Sequence, residues 1–281
     1  MLIPPVNSSK DLYDVIHKNL SELISQGGLN MKTVAIVSGK GGVGKTTISV
    51  SIAKALAEKF RVGLFDIDIT GSNAHRLLEM KETYDIIKEG GEIAIKPAVA
   101  EIDGREIEFM SIALVSESYV GWKPGEHGDF VSQLLERTMW NVDYLIIDSP
   151  PGFHSEITEA LKYTDVVVLV TLPSELSYLD AKRTAQLLAD LEVPVAGQII
   201  NFSYAVCPKC GERIELFKGK KGLDGIPVIQ ETPFVEGLPN IDVDKLLKAI
   251  ENPIKLKPTM DKSVKRNLLK IFLKGFGRLA K

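Results

Sequence analysis

Cysteine is almost absent from this sequence, whose 281 residues include only Cys207 and Cys210. So few cysteines exclude a disulfide-stapled scaffold, and a C-x-x-C pair in a reducing compartment points instead to metal or redox chemistry. Long apolar runs are missing as well. The longest candidate, Val166 to Val170, is strand-sized and far from the ~18 residues that a spanning helix needs. Met1 to Asp11 lacks the basic-then-apolar order of a secretory signal, so the expected location is cytoplasmic. No internal repeat or low-complexity stretch occurs. Neither a membrane protein nor a solenoid fits these absences.

A hydrophobic content of 44% and a charged content of 25% are those of an ordinary globular chain. The length suits one large α/β domain with a buried core better than two independent domains. The net charge of -3 conceals an asymmetry. Between Lys255 and Lys281 nine cations face the single carboxylate of Asp261, so the tail carries +8 and the remainder -11.

Residues 11–26 have helical periodicity through Leu12, Val15, Ile16, Leu20, Leu23 and Ile24, and Gly27-Gly28 ends it. Residues 1–29 therefore read as an N-terminal helical extension. Short β-branched runs then alternate with amphipathic segments, as in βαβ units winding a mostly parallel twisted sheet with helices on both faces. Strands are expected at 33–38, 62–66, 107–112, 144–148, 166–171 and 195–201, and helices at 45–58, 129–139, 155–163, 177–191 and 243–251. This central domain is taken as 30–254, and 255–281 as a basic amphipathic terminal helix with its periodic core at 262–274.

The stretch Gly39-Lys40-Gly41-Gly42-Val43-Gly44-Lys45-Thr46-Thr47 fits G-x-x-x-x-G-K-[ST], between an apolar strand and a helix. Glycines let backbone N–H groups converge on phosphate while the helix presents its positive end. Lys45 is expected on the β- and γ-phosphates of ATP and Thr46 on Mg²⁺. Lys40 is an additional lysine early in the loop, either a solvated side chain or a cation that neutralises charge on a transferring phosphate.

Carboxylates close two expected strands: Asp66 with Asp68 beyond the first, and Asp148 on the second. That edge is where α/β sheets bind ligands. Asp148 is expected to hold Mg²⁺ through water, Asp68 to orient the attacking water, and Asp66 to support Mg²⁺ or the loop. Asp148-Ser149-Pro150-Pro151-Gly152 reads as a switch loop in which the Gly152 N–H senses the γ-phosphate. Asn201 ends the 195–201 strand, where its amide can read an adenine edge or simply start a turn.

Cys207-Pro208-Lys209-Cys210-Gly211 looks like a metal knuckle of two thiolates with a glycine for the following turn. Structural zinc and [4Fe–4S] sites take about four ligands, so a complete thiolate site requires a second copy of the chain. A thioredoxin-like redox pair remains open, as do two spectator thiols, and C-x-x-C spacing alone does not separate iron from zinc.

The loop motif resembles the deviant P-loop group of MinD, ParA and the Mrp/ApbC carriers. The resemblance to Mrp/ApbC is close from Met31 to Pro233. It is carried by that loop, Phe65-Asp66-Ile67-Asp68, Gly121-Trp122-Lys123-Pro124, Asp143 through Gly152, and Asn201-Phe202-Ser203 leading to the cysteines. It implies a MinD-like P-loop NTPase: a slow, Mg-dependent ATPase in which Lys40 reaches the partner's site and Asn201 contacts adenine. It also implies a homodimer holding a labile [4Fe–4S] cluster between the subunits at Cys207 and Cys210 and passing it to apo-proteins. Gly71-Ser72-Asn73 and Phe153-His154-Ser155-Glu156 depart from the family pattern.

His154 is read as an ordinary first-turn residue, His17, His75 and His127 form no ligand-spaced pair, and Trp122 and Trp140 are expected in packing or an interface. The tail places Val264, Leu268, Leu269, Ile271, Phe272 and Phe276 opposite Arg266, Lys270 and Lys274. It is expected to dock on protein, without stable membrane attachment and without nucleic acid. The competing readings are a positioning ATPase of the MinD/ParA type, which has no need of the cysteines, and an ATPase maturation factor for another metallocentre.

Overall fold

The computed structural model describes residues 31–68, 71–80, 84–89, 92–112, 126–152, 154–217, 219 and 221–258. The expected N-terminal extension, the Gly121-Trp122-Lys123-Pro124 stretch and the helix at 262–274 lie outside the described residues.

Within them the chain runs β1 (Lys32–Val37), α1 (Lys45–Leu56), β2 (Val62–Asp66), α2 (Ala74–Leu77), β3 (Asp85–Glu89), β4 (Glu92–Lys96), β5 (Ala98–Ile102) and β6 (Arg105–Ser111). It continues through α3 (Glu126–Arg137), β7 (Tyr144–Asp148), α4 (Ser155–Ala160), a 3-10 turn (Leu161–Tyr163), β8 (Val166–Thr171) and α5 (Glu175–Asp190). The last elements are β9 (Val195–Val206), β10 (Arg213–Glu215), β11 (Val228–Pro233) and α6 (Val243–Glu251).

Nine strands form one sheet among the described residues, in the order β10-β9-β8-β1-β7-β2-β6-β5, with β11 also on β9. All its pairings are parallel except β5 with β6 and β9 with β10. β3 and β4 make a separate hairpin.

The central strands read as near-continuous apolar runs because both faces are covered. In β8, Val166, Val168 and Val170 join the cluster under Ile48 and Ile52 of α1 and Leu246 and Ile250 of α6. Val167 and Leu169 instead face Val131 of α3, Ile157 of α4 and Ala181 and Leu188 of α5. Each such side chain contributes about 1.5–3 kcal/mol when fully buried, so the sheet's carboxyl edge is a rigid base.

That edge is aligned by register. Asp66 pairs with Asp148 on one side and with Ser111 on the other, and Ile36 pairs with Asp148. The ends of β1, β7, β2 and β6 therefore lie abreast.

Three expectations need correction. β9 runs to Val206, five residues past the expected end at 201, because its last residues form a hairpin arm with β10. β3, β4, β5, β10 and β11 were not expected at all. Gly90-Gly91 between the paired Glu89 and Glu92 is a two-residue hairpin signal that a search for apolar runs passes over. The third concerns residues 161–163, which are a 3-10 turn and not a continuation of the α-helix.

Candidate functional site

The Gly-rich loop leaves β1 and enters α1 at Lys45. Gly44 sits before the helix with φ 80°, and no side chain caps the first-turn N–H groups. A Cβ at Gly44 would lie 2.3 Å from Nδ2 of Asn201, and one at Gly39 would lie 2.4 Å from the carbonyl oxygen of Asp180 in α5. Glycine at these two positions lets β9 and α5 close directly onto the loop. Val43 and Lys45 are buried, Thr46 and Thr47 are half-buried, and Lys40, Gly41 and Gly42 are exposed. The convergence of free backbone donors, a helix N-terminus and a buried lysine is suited to a polyphosphate.

Asp148 is wholly buried at the end of β7. Its Oδ1 accepts from Ser49 Oγ at 2.8 Å, whereas Oδ2 has no hydrogen-bond partner among the described residues. Burial pushes its carboxyl upward, opposed by the Lys45 charge and by the hydroxyls of Thr46 and Ser49. An orphaned buried carboxylate oxygen costs about 1–3 kcal/mol or more. Its place beside Thr46 and Lys45 therefore fits a site for a hydrated cation paired with phosphate.

Asp66 is also buried, and its pKa is pushed up to about 7, first by burial and then by the Asp148 charge. Its oxygens are taken by the N–H of Asp68 at 3.0 Å and the hydroxyl of Ser72 at 2.6 Å. Ser72 Oγ is in turn 2.8 Å from Ser111 Oγ. Of its two expected roles, the arrangement favours support of the loop. Asp68, half-buried, accepts from the Gly71 N–H at 3.0 Å and lies further out.

The expected switch loop rests against the phosphate loop. Ser149 Oγ donates to the Ile36 carbonyl at 2.7 Å, and the Gly152 N–H donates to the Ser38 carbonyl at 3.4 Å. A Cβ at Gly41 would meet Pro151 at an ordinary 3.7 Å. His154 precedes α4 without a side-chain capping bond.

Asn201 is fully buried and ties three segments together. Its Nδ2 donates to the Val43 carbonyl at 2.9 Å, while its Oδ1 accepts from the Phe202 N–H at 3.0 Å and from Thr232 Oγ1 at 2.7 Å. The amide therefore anchors the phosphate loop to β9 and β11, a role that sequence reading did not anticipate.

Beyond Asn201, β9 continues outward into the cysteine hairpin. Cys207 lies six residues on, about 20 Å at the rise of an extended strand. The turn is closed by Gly211 N–H to the Cys207 carbonyl and Cys207 N–H to the Glu212 carbonyl, both at 2.9 Å. The Cys207 thiol is held below the usual cysteine range, first by the Cys210 backbone N–H and then by that of Lys209. Cys207 is half-buried and Cys210 exposed. Among the described residues no group of three or more His, Cys, Asp or Glu is placed to hold a metal. The hairpin therefore presents two free thiols. At its base, Arg213 stacks over the Tyr204 ring at 4.0 Å and pairs with Glu231, which also accepts from Ser203 Oγ at 2.6 Å.

Sequence reasoning missed Ser49, Ser72, Ser111, Thr232 and Glu231. Most act on a residue far away in sequence, Ser49 on Asp148 across 99 positions for example, whereas Ser72 reaches back six positions to Asp66. The only available signal was polar residues at the ends of buried runs.

A strand-loop-helix phosphate cradle at the carboxyl edge of a mostly parallel sheet, with a buried aspartate on the neighbouring strand, defines a P-loop NTPase of the MinD/ParA-like fold. Solved structures agree. A nucleotide-binding protein of Archaeoglobus fulgidus in complex with ADP matches at TM-score 0.60 and 25% identity, over 83% of this chain and 90% of that one. The septum site-determining protein MinD of Pyrococcus horikoshii with Mg-ADP shares the fold at TM-score 0.53 and 19% identity, over 79% and 95%.

Residues 30–272 match the ParA family described as NUBPL iron-transfer P-loop NTPase, and the chain belongs to that family. It is 34% identical to the iron-sulfur cluster carrier protein of Pyrococcus abyssi over 228 residues, which is 78% of this chain and 75% of the relative. No helix among the described residues is long and apolar enough to cross a membrane.

Proposed function

We propose that this chain is a cytoplasmic, ATP-binding and ATP-hydrolysing homodimeric carrier that holds an iron–sulfur cluster between subunits and transfers it to apo-proteins. The observation that carries the reading is the two-thiol hairpin of Cys207 and Cys210. It grows from the strand whose Asn201 holds the phosphate loop. Two sulfurs per chain form half of a four-thiolate site, so two chains complete it. A [4Fe–4S] cluster is the expected cargo, with zinc as the alternative occupant.

In the nucleotide site, backbone N–H groups from Gly39 through Gly44 cradle the phosphates, with Lys45 on the β- and γ-phosphates and Thr47 beside the α-phosphate. Thr46 and Asp148 would hold Mg²⁺, which when bound neutralises charge on the phosphate oxygens. Asp68 orients water for in-line attack on the γ-phosphorus, and Asp66 supports its loop from below. Lys40, exposed here, reaches the partner's phosphates and stabilises the charge of the transition state. Gly152, now bonded to Ser38, turns its N–H to the γ-phosphate when ATP is present. The second Nδ2 hydrogen of Asn201 serves the adenine edge. The partners are a second copy of the chain and apo iron–sulfur clients, without nucleic acid or stable membrane attachment.

Anaerobic reconstitution with iron and sulfide tests the cargo. The wild type should gain a cysteine-dependent iron chromophore at one cluster per dimer, and Cys207→Ala should lose it. A cluster on a monomer would overturn the reading. Lys40→Ala should lower ATP turnover about 100-fold while leaving nucleotide affinity within a few-fold, as expected for a group acting on the transition state.

A further inference from the structure

The phosphate loop has an aromatic neighbour that the roles above leave unused. Phe202 follows Asn201 with φ 53°, a left-handed conformation uncommon for a bulky residue. Such strain persists only where the surroundings impose it, and it clusters at ligand sites. Here the imposing bond is the Phe202 N–H to Asn201 Oδ1 at 3.0 Å. The outcome is a ring turned onto the loop: a Cβ at Gly44 would stand 3.3 Å from Phe202 Cζ.

Phe234 is set against that ring. The two centroids are 5.3 Å apart with the planes at 64°, an edge-on contact. The Phe234 backbone is fixed by its N–H to the Tyr204 carbonyl at 2.6 Å, immediately after Pro233 ends β11. Yet the residue is 61% exposed. One exposed phenylalanine is ordinary on any surface. This one is held by backbone and ring against Phe202, which flanks the helix N-terminus and directly follows the Asn201 whose amide bonds the loop.

We infer that Phe234, buttressed by Phe202, is the stacking platform for the purine base of the bound nucleotide. The inference rests on the nucleotide-binding reading above and adds the residue that grips the base. Every base has a π-face, so stacking raises affinity without choosing among bases, and base choice is left to the Asn201 amide. Phe234 is thus a binding residue for the nucleoside half, separate from the loop that holds the phosphates.

The experiment is equilibrium binding of ATP, GTP and inorganic tripolyphosphate to the full-length chain and to Phe234→Ala, Phe234→Leu and Phe234→Trp. Phe234→Ala and Phe234→Leu should weaken ATP and GTP about tenfold, the lower part of the range for losing one base–aromatic stack. Tripolyphosphate should bind all four proteins equally, and Phe234→Trp should restore ATP binding. ATP affinity unchanged in Phe234→Ala would overturn the inference while leaving nucleotide binding intact. An equal loss of tripolyphosphate would overturn it too, by showing that the ring braces the loop. If the wild type binds tripolyphosphate but not ATP, or neither, the nucleotide reading itself fails and the platform with it.

Discussion

The phosphate loop and the cysteine hairpin both meet one continuous strand, β9, the loop through Asn201 and the hairpin at the strand's outer end, but they are built in opposite ways. The base of the loop is enclosed: Asn201 is buried with three bonds to it and to its neighbours, and α5 touches Gly39 at a distance that admits no side chain. The hairpin projects. All three residues of β10 are exposed, and Val206, Ile214 and Phe217 are 49%, 48% and 41% accessible. A single chain therefore braces its phosphate loop from two sides, while its two thiols stand on a hairpin that faces solvent. The difference teaches where a second copy would be needed under the proposed function, and each prediction below tests whether the two regions are as unlike as their contacts make them.

The largest effect is expected at Asn201. Asn201→Ala leaves the Val43 carbonyl and the Thr232 hydroxyl without their buried partner and opens a small cavity, at a cost of about 2–4 kcal/mol. Arg213→Ala, at the base of the hairpin, breaks pairs with Glu215 and Glu231 that are 46% and 27% exposed, and should cost under about 1 kcal/mol. Urea denaturation of the two variants measures both. If Arg213→Ala costs as much as Asn201→Ala, the hairpin is part of the cooperative core and the contrast is wrong.

The next effect is a pH dependence confined to the enclosed region. Asp66 has a folded pKa of about 7, above its ordinary value of 3.8. Between those values the folded protein binds a proton that the unfolded chain has released, so stability falls as pH rises and levels off above the folded pKa. The decline from pH 5 to pH 7 should be about 2 kcal/mol. Asp66→Asn should flatten it, since an amide can accept from the Asp68 N–H and donate to Ser72 Oγ while Ser72 donates to Ser111. The measurement is a denaturation series on metal-free protein, and an equal slope in both proteins would remove Asp66 as its source.

Much of this architecture was legible in the sequence, for identifiable reasons. The run from Gly39 to Thr47 announces itself because phosphate binding is met by backbone geometry, which glycine spacing records locally. The β2, β7 and β8 strands match their expected bounds because two-sided burial makes them uniformly apolar. Asn201 was expected to end its strand, whereas β9 continues to Val206, and its structural duty was invisible, since Val43 is 158 positions away. The β3–β4 and β9–β10 hairpins were missed because Lys88, Glu92, Arg213 and Glu215 break the apolar pattern of the sequence. The proposal that the cysteines are half of a shared site comes from counting thiols, which needs no coordinates.

The smallest expected effect separates two residues that the sequence cannot tell apart. Cys207 and Cys210 share one motif, but the N–H groups of Cys210 and Lys209 point at the Cys207 sulfur, so its thiolate forms at lower pH than that of an ordinary cysteine. In metal-free protein, iodoacetamide should therefore modify Cys207 with a reaction midpoint displaced to lower pH. Cys210→Ser removes the thiol that also donates to Cys207 but keeps the backbone N–H groups, so it should retain most of the displacement. Peptide mass measurement across a pH series reads the rates. A midpoint for Cys207 at the ordinary cysteine value, in the wild type and in Cys210→Ser alike, would mean that the turn does not hold its shape without metal. The hairpin would then differ from the phosphate loop in being shaped by what binds it.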